Sequence, residues 1–539
     1  ALNTGSLTLR GGASFERHDS AAVAGNTLTN AVGGLLRLDG AQFRFAGADS
    51  LLVNEGTLEV GANAYFEVDR ISAGDDRRGR IDLAGVLNVP EGVATRRLVM
   101  TDGAIITPRI DLDGRPGDNG TLLAPTGTDG GAGGLLELAG GHIAGTALTA
   151  RGGNGGRGST NVLGANGSSG GAGGDAGSIV LTDGRLVADA GIDLRGGAGG
   201  NGLNGVVVGF IAGAGGNGGA GGDGGDIFLD GGELVLAGGD IDLRGGAGGA
   251  RGLGATNVFG GRGANGSSGA AGAAGRLAVN GGTLTASAQA FDNAIRGEVS
   301  YSHGTLRFTD DLFELDASST RLNALLGAAD KSLAAGQALA FDQVLRIGAG
   351  SALTLAGGLL EAGTLELDAA ASLAFLDGVL DVGSVHGDLL QQGGTLAPGN
   401  SPGLTTITGD YTLAGGVLEL ELAGLERGIG YDAVDVGGTA TLGGTLMVNL
   451  IDGFQPAAGD VFELLAAEHI VGSFETLALA LLPHGGNWEL AYLRDPLGTD
   501  FVTLRAAPVP LPAAIWMLAG AGLVLGGRRR RGVSRKSGH

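Results

Sequence analysis

Glycine supplies 113 of the 539 residues, while aromatic residues make up only 4%. A chain so poor in bulky side chains cannot fill a thick globular core, which favours thin, repetitive β architecture. Many of the glycines bracket short runs that alternate apolar and polar residues: "GSLTLRGG", "GGLLRLDG", "GTLEVGA", "GRIDLAGVLNV", "GGTLTAS", "GSALTLAGGLLEAGTLELDA". A period of two bounded by turn residues marks a strand. Strands this short need a neighbour on each side to bury one face, and coils stacked in parallel supply both.

The spacing supports stacking. Ile179 recurs as Ile227, and "IDLRGG" at 192–197 recurs at 241–246. A repeat of this length points to a solenoid with two coils, or one coil plus a loop, per unit. Setting aside the glycine-rich insertions leaves about 400 residues, on the order of 18 coils at ~4.8 Å each and a rod of roughly 85 Å. The expected fold is all-β, a parallel β-helix (β-solenoid).

Glycine-rich blocks interrupt the coils at 152–177, 196–226 and 245–275, each after a strand ending in arginine (Arg151, Arg195, Arg244). Inside them glycine keeps a period of three, as in Gly196, Gly199, Gly202 and Gly205, or Gly260, Gly263, Gly266, Gly269, Gly272 and Gly275. That period matches a polyproline-II-type helix, whose bare glycine edge lets neighbouring helices approach closely. Collagen shares it, but no proline lies between Pro125 and Pro398, so a triple helix is not expected. The register breaks mid-block at apolar residues: Val162 and Leu163; Val206, Val207, Val208, Phe210 and Ile211; Val258 and Phe259. Each block reads as a polyglycine-II-like hairpin with an apolar contact tip, rigid only if its backbone groups pair between arms. Disordered glycine-rich loops are the alternative that composition also allows.

The formal net charge is -22, which opposes binding to nucleic acid or anionic lipid headgroups and leaves divalent cations or neutral glycans as more plausible partners. The chain has no cysteine, hence no disulfide, thiolate metal site or cysteine nucleophile. The seven histidines (His18, His142, His303, His386, His469, His484, His539) are scattered and build no catalytic motif. No catalytic residue and no resident metal or cofactor are assigned. "GGDGGDIFL", Gly221 to Leu229, fits a calcium nonapeptide once, with Asp223 and Asp226 as the carboxylates. Asp82, Asp111, Asp193 and Asp242 share "IDL" contexts, with Arg195 and Arg244 two residues beyond two of them. An outward Asp/Arg ladder could cleave polysaccharide, or simply be a solvated face.

The C-terminus reads "PVPLPAAIWMLAGAGLVLGGRRRR" from Pro508 to Arg531. Ala513 to Gly527 is uncharged and as a helix spans roughly 22 Å, at the lower limit for a hydrocarbon core of ~30 Å. Arg528, Arg529, Arg530 and Arg531 would hold the C-terminus in the cytoplasm. Val509, Pro510, Leu511, Pro512 and Ala513, with the helix and arginines, resemble the PEP-CTERM family of bacterial sorting signals in its VPLPA variant. Leu511 stands where the archetypal box has glutamate. The resemblance implies export by the Sec translocon of a Gram-negative bacterium, recognition by an exosortase-type protease, a transient inner-membrane anchor, and delivery to the outer surface or extracellular matrix. The opening "ALNTGSLTLR" shows no signal peptide, so a processed or truncated N-terminus is expected.

"GGTLAPGNSPGLTTITGDYTLAGGVLELEL", from Gly393, and the stretch Tyr431 to Phe454 resemble the closing segment of autotransporter passenger domains, with Ala397 to Gly403, Tyr411 and Asp432 as cues. That resemblance implies a right-handed β-helix. Glycine-rich adhesins of some phage tails also look similar, with receptor-binding loops at the ends of packed polyglycine helices. The expected organisation is coils at 1–150, coils bearing the insertions at 151–300, further coils at 301–410, a capping region at 411–505 and the sorting tail at 506–539. The expected function is that of a non-enzymatic, exported surface or matrix protein, structural or adhesive, meeting extracellular polysaccharide or another surface protein. A β-helix polysaccharide lyase or hydrolase, or a calcium-binding matrix protein, is the alternative.

Overall fold

The computed structural model describes residues 2–3, 6–10, 14–18, 27–46, 50–68, 70–72, 79–159, 165–327, 331–399, 402–482, 486–494 and 498–507. The chain is all-β, with extensive parallel sheets and, among the described residues, two short helices, Ala288–Asn293 and Thr320–Leu325. Neither was legible in the sequence pattern. It divides into two compact units, Ala1–Leu380 and Asp381–His539.

In the first unit each winding contributes strands to parallel rows. One row runs Leu51–Asn54, Arg70–Ser72, Gly92–Ala94, Arg109–Asp111, Ala147–Thr149, Ile192–Asp193, Ile241–Asp242 and Ile295–Arg296, every pair parallel. A second row includes Thr57–Val60, Arg80–Leu83, Arg97–Met100, Leu135–Ile143, Ser178–Val187, Ile227–Leu229 and Arg276–Val279. Parallel strands cannot be joined by tight hairpins, so this pairing is what a β-solenoid requires. The sequence repeat appears directly in the register: Ile179 lies opposite Ile227 and Asp193 opposite Asp242.

Alternation decides which side chains point inward. In Thr57–Val60 and Tyr65–Val68 every second residue is buried, so Leu58, Val60, Phe66 and Val68 join the core. Phe43 and Phe66, opposite each other, stack with centroids 4.8 Å apart. At the corner between the two rows, the buried Asn30 donates from Nδ2 to Asn54 Oδ1 at 2.7 Å, 24 residues on. Asn54 in turn donates to the Arg80 carbonyl at 3.0 Å. A buried amide is tolerable only when so satisfied, and the ladder fixes coil register.

The second unit also begins with parallel pairs, such as Val417–Leu422 with Thr445–Leu450. It ends differently. Asp500–Ala507 runs antiparallel to both Val461–Gly472 and Asn487–Arg494. Two of the passenger-like cues are core groups here. Tyr411 is fully buried with its hydroxyl on Gln391 Oε1 at 2.8 Å, and buried Asp432 accepts the Gly403 and Glu421 N–H groups at 2.5 and 2.7 Å.

Candidate functional site: the glycine hairpins and their tips

The first unit has a corner, between the two rows just described, that plain coils turn in a few residues, as at Glu55 and Gly56. Four consecutive coils open that corner into a long hairpin. The hairpins are I (113–134), II (152–177), III (196–226) and IV (245–275). The sequence reading found three of them and missed hairpin I. Prolines at 116 and 125 and the non-glycine residues between them obscure its triplets, although Gly114, Gly117, Gly120 and Gly127, Gly130, Gly133 keep the period.

Each outgoing arm donates to the next outgoing arm: Gly114, Gly117 and Gly120 to the carbonyls of Arg151, Asn154 and Arg157; Gly152, Gly155 and Gly158 to Arg195, Ala198 and Asn201; Gly196, Gly199 and Gly202 to Arg244, Ala247 and Ala250. The returning arms repeat this, with Gly170 and Gly173 donating to Asn217 and Ala220, and Gly218 and Gly221 to Ser267 and Ala270. A second set of bonds crosses between outgoing and returning arms: Gly200 to Gly171, Gly219 to Gly200, Gly249 to Gly219 and Gly269 to Gly249. Eight arms therefore form two hydrogen-bonded layers.

The interior triplets read G-G-x because two of every three positions touch another arm. A Cβ on Gly199 would fall on the Gly219 carbonyl oxygen, and one on Gly200 on that of Gly156. The third position faces out, leaving its N–H without an arm to bond. Asn or Asp of the preceding hairpin supplies the acceptor: Asn154 for Ala198, Asp175 for Asp223, Asn201 for Ala250, Asn204 for Leu253, Asn217 for Ser267 and Asp223 for Ala273, all at 2.7–2.9 Å. Apart from Asp223, which the sequence suggested as a calcium ligand, these residues carry no assignment in the sequence reading; their recurrence at the x position is the available signal. Asp226 likewise accepts from the Arg276 N–H at 2.8 Å. The two carboxylates of the calcium-like nonapeptide thus accept backbone N–H groups. Among the described residues, no three acidic or histidine side chains converge on a metal position.

At the base, Asp113 pairs with Arg151 at 2.6 Å, Asp193 with Arg195 at 2.8 Å and Asp242 with Arg244 at 2.7 Å, with Arg151–Asp193 and Arg195–Asp242 at 3.9 and 3.8 Å. Burial pushes the Asp242 carboxyl up, but hydrogen bonds and charge from Arg244, with the charge of Arg195, outweigh it and hold the pKa below the usual value. The "IDL" aspartates do not form one ladder. Asp193 and Asp242 are register neighbours, Asp111 lies two rungs away beyond Thr149, and Asp82 belongs to the other row, between Glu59 and Val99. This base is an ion-paired strut under the hairpins.

The distal ends are apolar. Val207–Val208 pairs antiparallel with Ile211–Ala212. Phe210 is 72% exposed, Ile211 69%, Val258 82% and Phe259 77%, and Val206, Val207 and Val208 are exposed as well. The structure brings two tips together: the Phe210 and Phe259 rings are 5.5 Å apart, and Asn257 Nδ2 donates to the Phe210 carbonyl at 2.7 Å. Hairpin I adds Leu122 and the 96% exposed Leu123, which the sequence reading did not include. Val162 and Leu163 lie outside the described residues, as do Val509, Pro510, Leu511, Pro512, Ala513 and Arg528 to Arg531. Among the described residues no helix is long and apolar enough to cross a membrane.

No protein-family model matches the sequence, and no curated protein sequence matches it significantly.

Proposed function

We propose that this is a non-enzymatic, exported protein of the cell surface or extracellular matrix, in which a right-handed β-solenoid carries a polyglycine-II-like array that displays apolar contact tips. Its role is structural and adhesive, and the VPLPA-type tail directs it through an exosortase-type pathway. The observation that supports this most is the pairing of the arms: glycine has a large ordering entropy, and two hydrogen-bonded layers offset it and hold the tips away from the coils. Large exposed apolar patches commonly mark contact surfaces. The ion-paired Asp/Arg base favours a structural role over glycan cleavage.

The test replaces Val206, Val207, Val208, Phe210, Ile211, Val258 and Phe259 with serine in the producing cells. Export should persist while cell adhesion or matrix retention falls several-fold. Unchanged adhesion would refute the display role, and glycan cleavage by the purified chain that is abolished by Asp193→Ala would replace it with an enzymatic one.

A further inference from the structure

The outer parts of hairpins II, III and IV differ in charge from the rest of the chain. The chain as a whole carries a formal -22, yet beyond Asp175, Asp223 and Asp226 near the coils, 152–174, 196–222 and 245–275 contain no aspartate or glutamate and do contain Arg157, Arg251 and Arg262. Among the described residues none of these three guanidinium groups is in an ion pair, whereas Arg151, Arg195 and Arg244 at the base all are. Unpaired cations therefore flank the apolar end of an acidic protein.

Their depth is set by the arms. Gly158 donates to the Asn201 carbonyl and Gly202 to the Ala250 carbonyl, which places Arg157 and Arg251 near the level of Gly202. Hairpin III runs on to Val206, so at ~3.1 Å per residue these arginines lie about 12 Å behind the tip. Arg262 lies in the tip itself, bridged to Thr256. Amphipathic segments at a bilayer bury their apolar side about 5–10 Å into the boundary between headgroups and acyl chains. With Val207, Val208, Phe210, Ile211, Val258 and Phe259 at that depth, the long guanidinium side chains reach the phosphates. The strand residues of this tip are all apolar and offer no directional side-chain hydrogen bonds, which suits a fluid partner better than a folded one with a matched polar rim.

We propose that the tips of hairpins III and IV insert into an anionic phospholipid surface, the apolar side chains entering the acyl boundary and Arg157, Arg251 and Arg262 meeting headgroup phosphates. This rests on the display reading above and names its partner.

The absence of cysteine allows Phe210→Cys, carrying an environment-sensitive fluorophore, to report on the tip alone in the full chain, wherever the tail goes. Ser372→Cys, on an exposed coil position, is the control. With vesicles of phosphatidylglycerol and phosphatidylcholine, the label at 210 should shift to the blue and be quenched by acyl-chain spin labels, and the label at 372 should not. Adding R157Q, R251Q and R262Q together should raise the lipid concentration at the midpoint at least tenfold. No shift on these vesicles, or an equal shift on phosphatidylcholine alone, overturns the proposal. So does a shift produced only by a surface-protein extract or a glycan. Limited proteolysis run alongside separates the two levels: resistant arms with inert tips remove the lipid partner and leave display standing, while rapid cutting of the arms removes display itself.

Discussion

A methyl group is the smallest unit that distinguishes an interior arm from an ordinary loop. Gly200 donates to Gly171 and accepts from Gly219, and its missing Cβ is the space taken by the Gly156 carbonyl. Gly200→Ala must push arms apart, an overpacking cost of about 1–3 kcal/mol. Limited proteolysis should then cut within 196–226 while the coils survive; an unchanged digestion pattern would mean that the arms are not packed. Ala271→Gly, on the outer side of hairpin IV where position and neighbours leave the side chain exposed, should change little. The Asn/Asp rungs are milder, because water can replace a lost acceptor at the surface: Asn201→Ala should cost about 1 kcal/mol or less, read as faster hydrogen exchange at the Ala250 amide. Asp432 in the second unit behaves differently. Burial, opposed by the N–H groups of Gly403 and Glu421, raises its pKa from 3.8 to about 6. Because the folded value lies above the unfolded one, the group's contribution to stability is fully present below pH 3.8 and is lost as pH rises through 6. In Asp432→Asn, which also sets an amide NH2 against one of the two N–H donors, the stability difference from the parent chain should widen as pH falls from 7 to 4, measured by denaturant unfolding at each pH.

At the level of elements, the array is built to end. Hairpin III carries Gly215, Gly218, Gly221 and Gly224, which donate to hairpin IV; the corresponding positions of hairpin IV are Asn265, Ser268, Ala271 and Ala274, all exposed. Hairpin I likewise has exposed Arg115 and Asp118, level with Gly153 and Gly156 of hairpin II. Side chains at both outer edges keep another glycine arm from docking, the device by which proteins blunt exposed sheet edges. Removing 246–274 and joining Gly245 to Gly275 restores a corner about as short as Glu55–Gly56 while leaving Gly199, Gly202, Gly218 and Gly221 without acceptors. That variant should associate with concentration in sedimentation velocity, and a monomer at all concentrations would show the edge to be inert. Much of this was legible beforehand: period two gave the strands, "IDLRGG" gave the register partners Ile192 and Ile241, and the glycine triplets gave three hairpins and the exposed tips of III and IV. Hairpin I escaped because an outer arm needs only one glycine per triplet, so Arg115, Pro116 and Asp118 diluted the signal for the very reason that they lie at the edge. The antiparallel pairing of Asp500–Ala507 escaped because alternation fixes which face is buried and not the direction of the neighbour.

Over the whole molecule, the proposed function joins a glycine-lined display to a sorting address at the far end of the sequence. Ala513 to Gly527 is barely long enough for a bilayer, and four arginines follow it directly, an order that under the proposed function would retain the segment in the membrane with its C-terminus inside. Solenoid stability is approximately a sum over neighbouring coils, so a chain without Pro508 to Arg531 should still fold its coils. Location and fold should therefore separate. In the deleted chain the protease pattern and thermal midpoint should match the parent, while cell fractionation finds the protein in the periplasm or the medium and adhesion falls with the loss of surface retention. Replacing only Arg528, Arg529, Arg530 and Arg531 with glutamine should misplace part of the population, because the apolar segment remains while the proposed cytoplasmic anchor does not. Surface display unchanged in both variants would remove the tail from the pathway and leave the hairpins and their tips to account for attachment by themselves.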